Sequence, residues 1–412
     1  MTALSARKAV FVFIAFAFAY FLSSLIRAVT ATLSPVLTQE FALQARDLGL
    51  LAGGYFLGFS LTQLPLGNWL DRHGPKRVIL CFLAVAVMAC LAFSLATSFA
   101  GLFAARVLCG VGVSACLMAP LTGYRRWFAP ATQMRLNSWM LMSGSMGMVA
   151  STLPVQWLTP LFGWRPLFWG MALLLLLAMA LIAWLVPAWA QPDQGLHRAG
   201  PKAGYAEVWR HPYFRRMAPV GFFCYGGLMA VQTLWAAPWM IKVAAYSPLQ
   251  AATGLFWINI VMLASFWAWG MASSWLTRRG LHADRLIETG LPLSFVLLVL
   301  VITSPAFWPE GAGPLLALYC VACSFVTPSQ PAIGMAFGPE AAGRALSAYN
   351  LVIFLGIFVI QWGIGLLIDG LLMLGFGQTP SFQLAFAAYL LCCIGAYLHF
   401  LRGGSHKVQD FA

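Results

Sequence analysis

Twelve apolar runs of membrane-crossing length limit what this chain can become. They fall at 9–32, 48–70, 78–97, 100–123, 136–159, 166–188, 214–241, 249–276, 285–304, 313–337, 346–368 and 382–401. A helix rises about 1.5 Å per residue, so roughly 20 apolar residues cross the hydrocarbon layer. Within that layer every backbone donor and acceptor must find a partner inside the protein, which runs of this length achieve as helices. The sequence therefore predicts an all-α membrane protein with 12 transmembrane helices in two pseudo-symmetric six-helix bundles. The longest polar interval divides the spans six and six, giving an N-terminal bundle over 1–188, a cytoplasmic connector over 189–213 and a C-terminal bundle over 214–412.

Charge patterning sets the expected orientation. Apolar residues make up 61% of the chain and charged residues 8%, far below the roughly 25% charged of a soluble domain. With the N-terminus inside, 19 of the 24 lysines and arginines lie in inner segments or span ends, 3 in outer loops and 2, Arg27 and Arg106, within spans. The opposite orientation would invert the positive-inside bias, so both termini are expected in the cytoplasm of a multi-pass inner (plasma) membrane protein. The net charge of +13 thus follows topology and does not point to nucleic acid. The first run is too long for a signal h-region of about 7–15 residues and is read as a retained span. Cys320/Cys323 and Cys392-Cys393 have no neighbouring His or carboxylate and are read as small apolar helix residues, not metal ligands. No phosphate loop, zinc motif or nucleophile elbow is present, so neither ATP-driven pumping nor other enzymatic chemistry is expected.

Between the second and third runs stands Gly67-Asn68-Trp69-Leu70-Asp71-Arg72-His73-Gly74-Pro75-Lys76-Arg77. This stretch resembles the G-x-x-x-D-R-x-G-x-[RK]-[RK] signature of the major facilitator superfamily, in its bacterial 12-helix form. The resemblance implies a gating or structural motif in which Gly67 and Gly74 let the helix ends approach and turn. Asp71 would meet a helix terminus or a cation as a latch, and Arg72 and Arg77 would hold the turn at the cytoplasmic surface. Arg106 with Gly110 and Gly112 is similar to the family's R-x-x-x-G-x-G helix, Gly163-Trp164-Arg165 to its G-W-R turn, and Pro339-Glu340 with Gly343-Arg344 to a feature of many members. The halves also echo one another: Trp275-Leu276-Thr277-Arg278-Arg279-Gly280 matches Trp69 to Gly74, and Tyr225/Gln232 repeats the seven-residue spacing of Tyr20/Arg27. Seven residues is nearly two turns, which places each pair on one helix face. The fifth run lacks the G-x-x-x-G-P-x-x-G of the family's drug/proton antiporters.

The candidate site follows from the charges inside the membrane. A mid-bilayer charge costs roughly 2.5–3.5 kcal/mol on insertion scales, so such residues face a cleft and have a purpose. No carboxylate lies near mid-depth of any run, which leaves a cleft with fixed cations and an attraction for anions. Tyr20…Arg27…Pro35 resembles the first helix of the family's organic-phosphate and sugar-acid transporters, which implies that Arg27 binds the substrate's anionic group. A guanidinium suits that role because its fork meets a carboxylate or phosphate in two places; the alternative is an Arg that snorkels to the interface. For Arg106 a structural or gating role is the expectation. Gln232, Trp235, Tyr225, Asn350 and Gln361 are the further substrate-binding candidates, each with helix–helix hydrogen bonding as the alternative. Trp239 and Trp308 are read as interfacial belt residues.

The resulting expectation is a secondary active transporter working by alternating access, most simply for uptake of a small organic anion coupled to protons. Export of a metabolite, siderophore or drug-like compound is the alternative within the fold, and a membrane ligand sensor the alternative outside transport. A monomer is expected, with the solute, protons and the bilayer as partners and with no cofactor or metal.

Overall fold

The computed structural model describes residues 6–128, 130–188 and 205–402. Positions 189–204, most of the expected connector, lie outside the described residues, as does the tail 403–412, and so do the side chains of Trp275, Leu276, Thr277, Pro339 and Glu340. The membrane-length runs of the described chain are helical apart from short breaks, at Ser114, at Ser151 and Thr152, and at Thr327 and Pro328. Among the described residues, ten helical segments are long and apolar enough to cross a bilayer, from Arg7–Phe41 to Gln378–Arg402. The second and fifth expected spans are helical too but fall short of that apolarity. The second, Ala45–His73, gives up hydropathy to Gly49, Gly53, Gly54, Gly58 and Gln63, all buried against other helices. The fifth is divided into Pro130–Ala150 and Leu153–Phe162 by a break at Ser151 and Thr152.

Glycine explains how closely the helices approach. A Cβ on Gly58 would collide with the Val107 carbonyl, one on Gly110 with the Tyr55 carbonyl, and one on Gly147 with the Phe21 carbonyl. Spans 2 and 4, and spans 1 and 5, therefore pack backbone to backbone, the small-residue mode of membrane interfaces. Many large apolar side chains point outward instead: Trp184 is 85% exposed and Leu161 74%. Exposed apolar surface on this scale is satisfied by lipid tails, not by water.

The four glycines with positive φ among the described residues expose the internal repeat. Gly74 (+76°) turns span 2 into span 3, and Gly280 (+72°) turns span 8 into span 9; Gly163 (+80°) and Gly375 (+89°) do the same between spans 5 and 6 and spans 11 and 12. These two junctions of the first half thus each have a positive-φ glycine at the equivalent junction of the second. The stretch 67–77 is not an extended loop. Span 2 runs on to His73 and span 3 (Pro75–Leu95) starts two residues later, so Gly74 alone is the turn. Gly67 proves to have open space around it, so close approach does not depend on it. The face with the Gly74 and Gly280 turns is called the basic face below, and the face with the Gly163 and Gly375 turns the opposite face.

Candidate functional site

Arg27 sits two turns before Pro35 on span 1. Pro35 cannot donate to Ala31, and the Ser34 hydroxyl satisfies that carbonyl instead at 2.8 Å. The adjoining turn is held from span 4. Arg106, fully buried, donates from Nη1 to the Ile26 carbonyl at 2.7 Å and from Nη2 to the Arg27 carbonyl at 2.9 Å. Its guanidinium also lies 5.1 Å from the centre of the Tyr55 ring. Arg106 thus clamps the backbone that carries Arg27.

The Arg27 side chain has different company. It is 9% exposed and lies 5.9 Å from the Phe59 ring centre. Its charge interacts with the hydroxyls of Tyr20 and Tyr55, with Tyr225 from the second half and with Cys116 on the broken fourth span. Its Nε has no hydrogen-bond partner, and none of the ion pairs among the described residues involves it. Phe59 in turn meets Phe354 of span 11 at 4.3 Å between ring centres. A buried guanidinium without a carboxylate partner among the described residues, with tyrosine hydroxyls and aromatic faces around it, has the chemistry that would suit an anion with a flat apolar part.

Span 7 brings the second half to this site through two π turns, Gly221–Tyr225 and Val231–Trp235. Such turns recur at functional sites because they redirect side chains, and here they change the angular spacing of Tyr225 and Gln232. Tyr225 interacts electrostatically with Tyr20 and Arg27, whereas Gln232 donates to Asn259 Oδ1 on span 8 at 2.9 Å and leaves its own oxygen unpartnered. Trp235 is fully buried and donates to the Gln361 carbonyl at 3.1 Å. The Gln361 amide donates to Thr233 at 3.0 Å. Asn350 accepts from Gln330 of span 10. Trp239, expected in the interfacial belt, is instead fully buried against Phe386 with ring centres 4.5 Å apart, whereas Trp308 is 47% exposed.

A second constellation joins the two halves at the opposite face. Asp369, near the end of span 11, accepts from the Ala45 N–H through Oδ1 at 3.1 Å and from the Arg46 N–H through Oδ2 at 2.8 Å. Those two donors open span 2, whose first-turn N–H groups have no helical partners and carry the positive end of the dipole. Below it, a Cβ on Gly365 would collide with the Ala45 carbonyl and one on Gly49 with the Gln361 carbonyl. The opposite face is therefore closed by direct packing of span 2 on span 11. At the basic face Asp71 and Arg72 stand exposed in the last turn of span 2, and Arg77 is exposed in the first turn of span 3. Lys76 donates to the Val186 carbonyl at the end of span 6 at 2.7 Å.

The model of the Major Facilitator Superfamily matches residues 16–361, most of the chain. The chain belongs to the major facilitator superfamily. That superfamily is one of multi-pass membrane transporters and not of enzymes. Superfamily relatives include "Probable anion transporter 1, chloroplastic" of Oryza sativa subsp. japonica, 23% identical over 78% of this chain and 64% of the relative. "4-hydroxybenzoate transporter PcaK" of Pseudomonas aeruginosa is 28% identical over 39% of this chain and 36% of the relative. "Ascorbate transporter, chloroplastic" of Arabidopsis thaliana is 22% identical over 91% and 71%. The matched region thus spans less than two thirds of the rice protein and about a third of the Pseudomonas protein. Among solved structures, a bacterial homologue of the human lysosomal transporter Spinster, in an inward-facing and unoccupied conformation, superposes with a TM-score of 0.77 at 18% identity, covering 97% of this chain and 98% of the other.

Proposed function

We propose that this superfamily member takes up a small organic anion by alternating access, with Arg27 as the residue that binds the anionic group. One observation carries the reading: Arg27 is buried at the meeting of the two halves, its Nε is unpartnered, and no carboxylate among the described residues neutralises it. Leaving a cation in that state is unfavourable unless a ligand or solvent compensates it. The names of the relatives, which refer to anions, 4-hydroxybenzoate and ascorbate, support an acid of modest size. The rings of Tyr20, Tyr55, Phe59 and Tyr225 favour one with an aromatic body.

In this reading the basic face is cytoplasmic and the two six-helix bundles, 1–188 and 214–412, rock about the Arg27 site. The closure between Asp369 and span 2 marks an inward-facing state, and Asp71 serves the basic face as the corresponding latch in the outward-facing one. No carboxylate among the described residues lies at mid-depth of a span, so the proton is assigned either to an acid near a face, such as Glu288, or to the substrate's own carboxyl group.

Counter-flow in vesicles tests the proposal. Preloaded 4-hydroxybenzoate should accelerate entry of labelled 4-hydroxybenzoate or of another monocarboxylate from a panel, and an imposed inward-acid gradient should drive net accumulation. A panel of organic acids that exchanges no faster than neutral sugars would remove the anion reading. Labelling of a Gly200→Cys variant from outside intact cells would remove the orientation.

A further inference from the structure

Five basic side chains converge on one cavity at the basic face, away from Arg27. The cavity has a volume of about 970 Å³ and lies where the start of span 7 meets the end of span 12, with Arg210, Arg215, Arg216, His399 and Arg402 around it. Only Arg216 is spoken for. Its Nη1 donates to Asp284 Oδ2 at 2.7 Å, its Nε donates to the Phe400 carbonyl at 2.8 Å, and its guanidinium stacks 4.2 Å from the Phe400 ring centre. That arrangement fixes one wall. Arg210, Arg215, His399 and Arg402 are exposed or rim-facing and have no carboxylate partner among the described residues, and no acid lines the cavity.

The floor differs from the rim. Phe222, Phe223 and Val352 line it, and Trp209 stands at the mouth, 40% exposed. Phe223 is eight residues beyond Arg215 on span 7, so the apolar floor reaches roughly 12 Å along the helix from that cation at about 1.5 Å per residue. Cations above and an aromatic-walled apolar slot below match a phosphodiester headgroup with an acyl chain attached. A soluble phosphate would use the rim and leave the floor uncovered. The side chains of His399 and Arg402, three residues apart on span 12, share one face, and both are exposed.

We propose that this cavity binds an anionic phospholipid of the leaflet at the basic face, its phosphate held by Arg215 and Arg402 and one chain lying on Phe222 and Phe223. Basic pockets of this type attract anionic headgroups at about 1 kcal/mol per cation near the surface. Two lost arginines therefore correspond to a fall in retention of about thirty-fold.

The test uses the full chain in nanodiscs of phosphatidylcholine containing a minor fraction of phosphatidylglycerol, with bound lipid counted by native mass spectrometry after gentle detergent release. Wild type should keep one phosphatidylglycerol, and Arg215→Gln/Arg402→Gln should lose it about thirty-fold. Lys8→Gln, an exposed cation elsewhere on the same face, should retain it fully. Glycerol phosphate at millimolar concentration should neither displace the lipid nor raise Tm. Equal retention by the double variant, equal loss in Lys8→Gln, or full displacement by glycerol phosphate would overturn the assignment. If the double variant purifies poorly, Arg402→Gln alone, in the last turn of span 12, should still reduce retention several-fold; an unchanged count there contradicts the proposal equally.

Discussion

Replacing Asp369 with asparagine should open the face that this structure holds shut. The carboxylate joins two helices from different halves through the Ala45 and Arg46 N–H groups, at 3.1 and 2.8 Å, and is only 7% exposed. Hydrogen bonds to a charged group contribute about 1.5–3 kcal/mol each, and a charge at a helix N-terminus roughly 0.3–1 kcal/mol more. Asparagine keeps one acceptor oxygen but turns an amide NH₂ toward the second donor, so about 2–3 kcal/mol of closure is lost. At 1.4 kcal/mol per decade this multiplies the open population roughly 30- to 150-fold. The assay is a distance distribution between spin labels at Gln39→Cys and Gln378→Cys, both exposed at that face, in a background lacking Cys81 and Cys392, the exposed native cysteines. Wild type should give one short distance, and Asp369→Asn should add a longer one while purifying normally. Identical distributions would refute the reasoning, because the two bonds would then contribute nothing to the balance between states.

Gly49→Val should produce the same opening by collision with the Gln361 carbonyl, whereas Gly67→Ala, with nothing near its Cβ, should leave both distances and transport unchanged; spin-label distances and vesicle flux read both. Arg106→Lys keeps the charge but loses one of the two bonds to span 1, which should cost about 2 kcal/mol and lower the Tm in detergent more than it lowers ligand affinity. Asp71→Asn should fold and express normally but slow flux, and combined with Asp369→Asn it should shrink the longer distance that Asp369→Asn adds; unchanged kinetics and an unchanged longer distance in the double variant would remove Asp71 as a latch.

Much of this architecture is legible in the chain because membrane helices announce themselves by length and apolarity. The Trp69–Gly74 and Trp275–Gly280 echo is legible for a backbone reason: both glycines have positive φ, which other residues rarely adopt. Arg27 and Arg106 stand out because charge inside an apolar run is costly. Asp369 was hidden. It reads as an acid at a span end, and its partners lie more than 320 residues away on a helix whose N-terminus already carries an acid of its own, Asp47, which accepts from the Gln44 N–H. Trp239 reads as a belt residue from its place near the end of a run, but the packing of span 12 buries it. The π turns of span 7 break the seven-residue spacing, and Gln232 pairs with Asn259 while Tyr225 interacts electrostatically with Arg27.

Equilibrium binding to wild type, Arg27→Ala and Arg27→Lys tests the central assignment most directly. A thermal-shift screen of organic acids, beginning with 4-hydroxybenzoate, selects the probe, since a ligand raises Tm for the state it binds. Truncating one partner of a buried charged pair costs about 2–5 kcal/mol, so Arg27→Ala should weaken the acid at least about 30-fold. Arg27→Lys should weaken it less, and the neutral amide of the same acid should bind all three proteins equally poorly. Wild-type affinity in the folded Arg27→Ala protein, or equal affinity of wild type for acid and amide, would contradict the account.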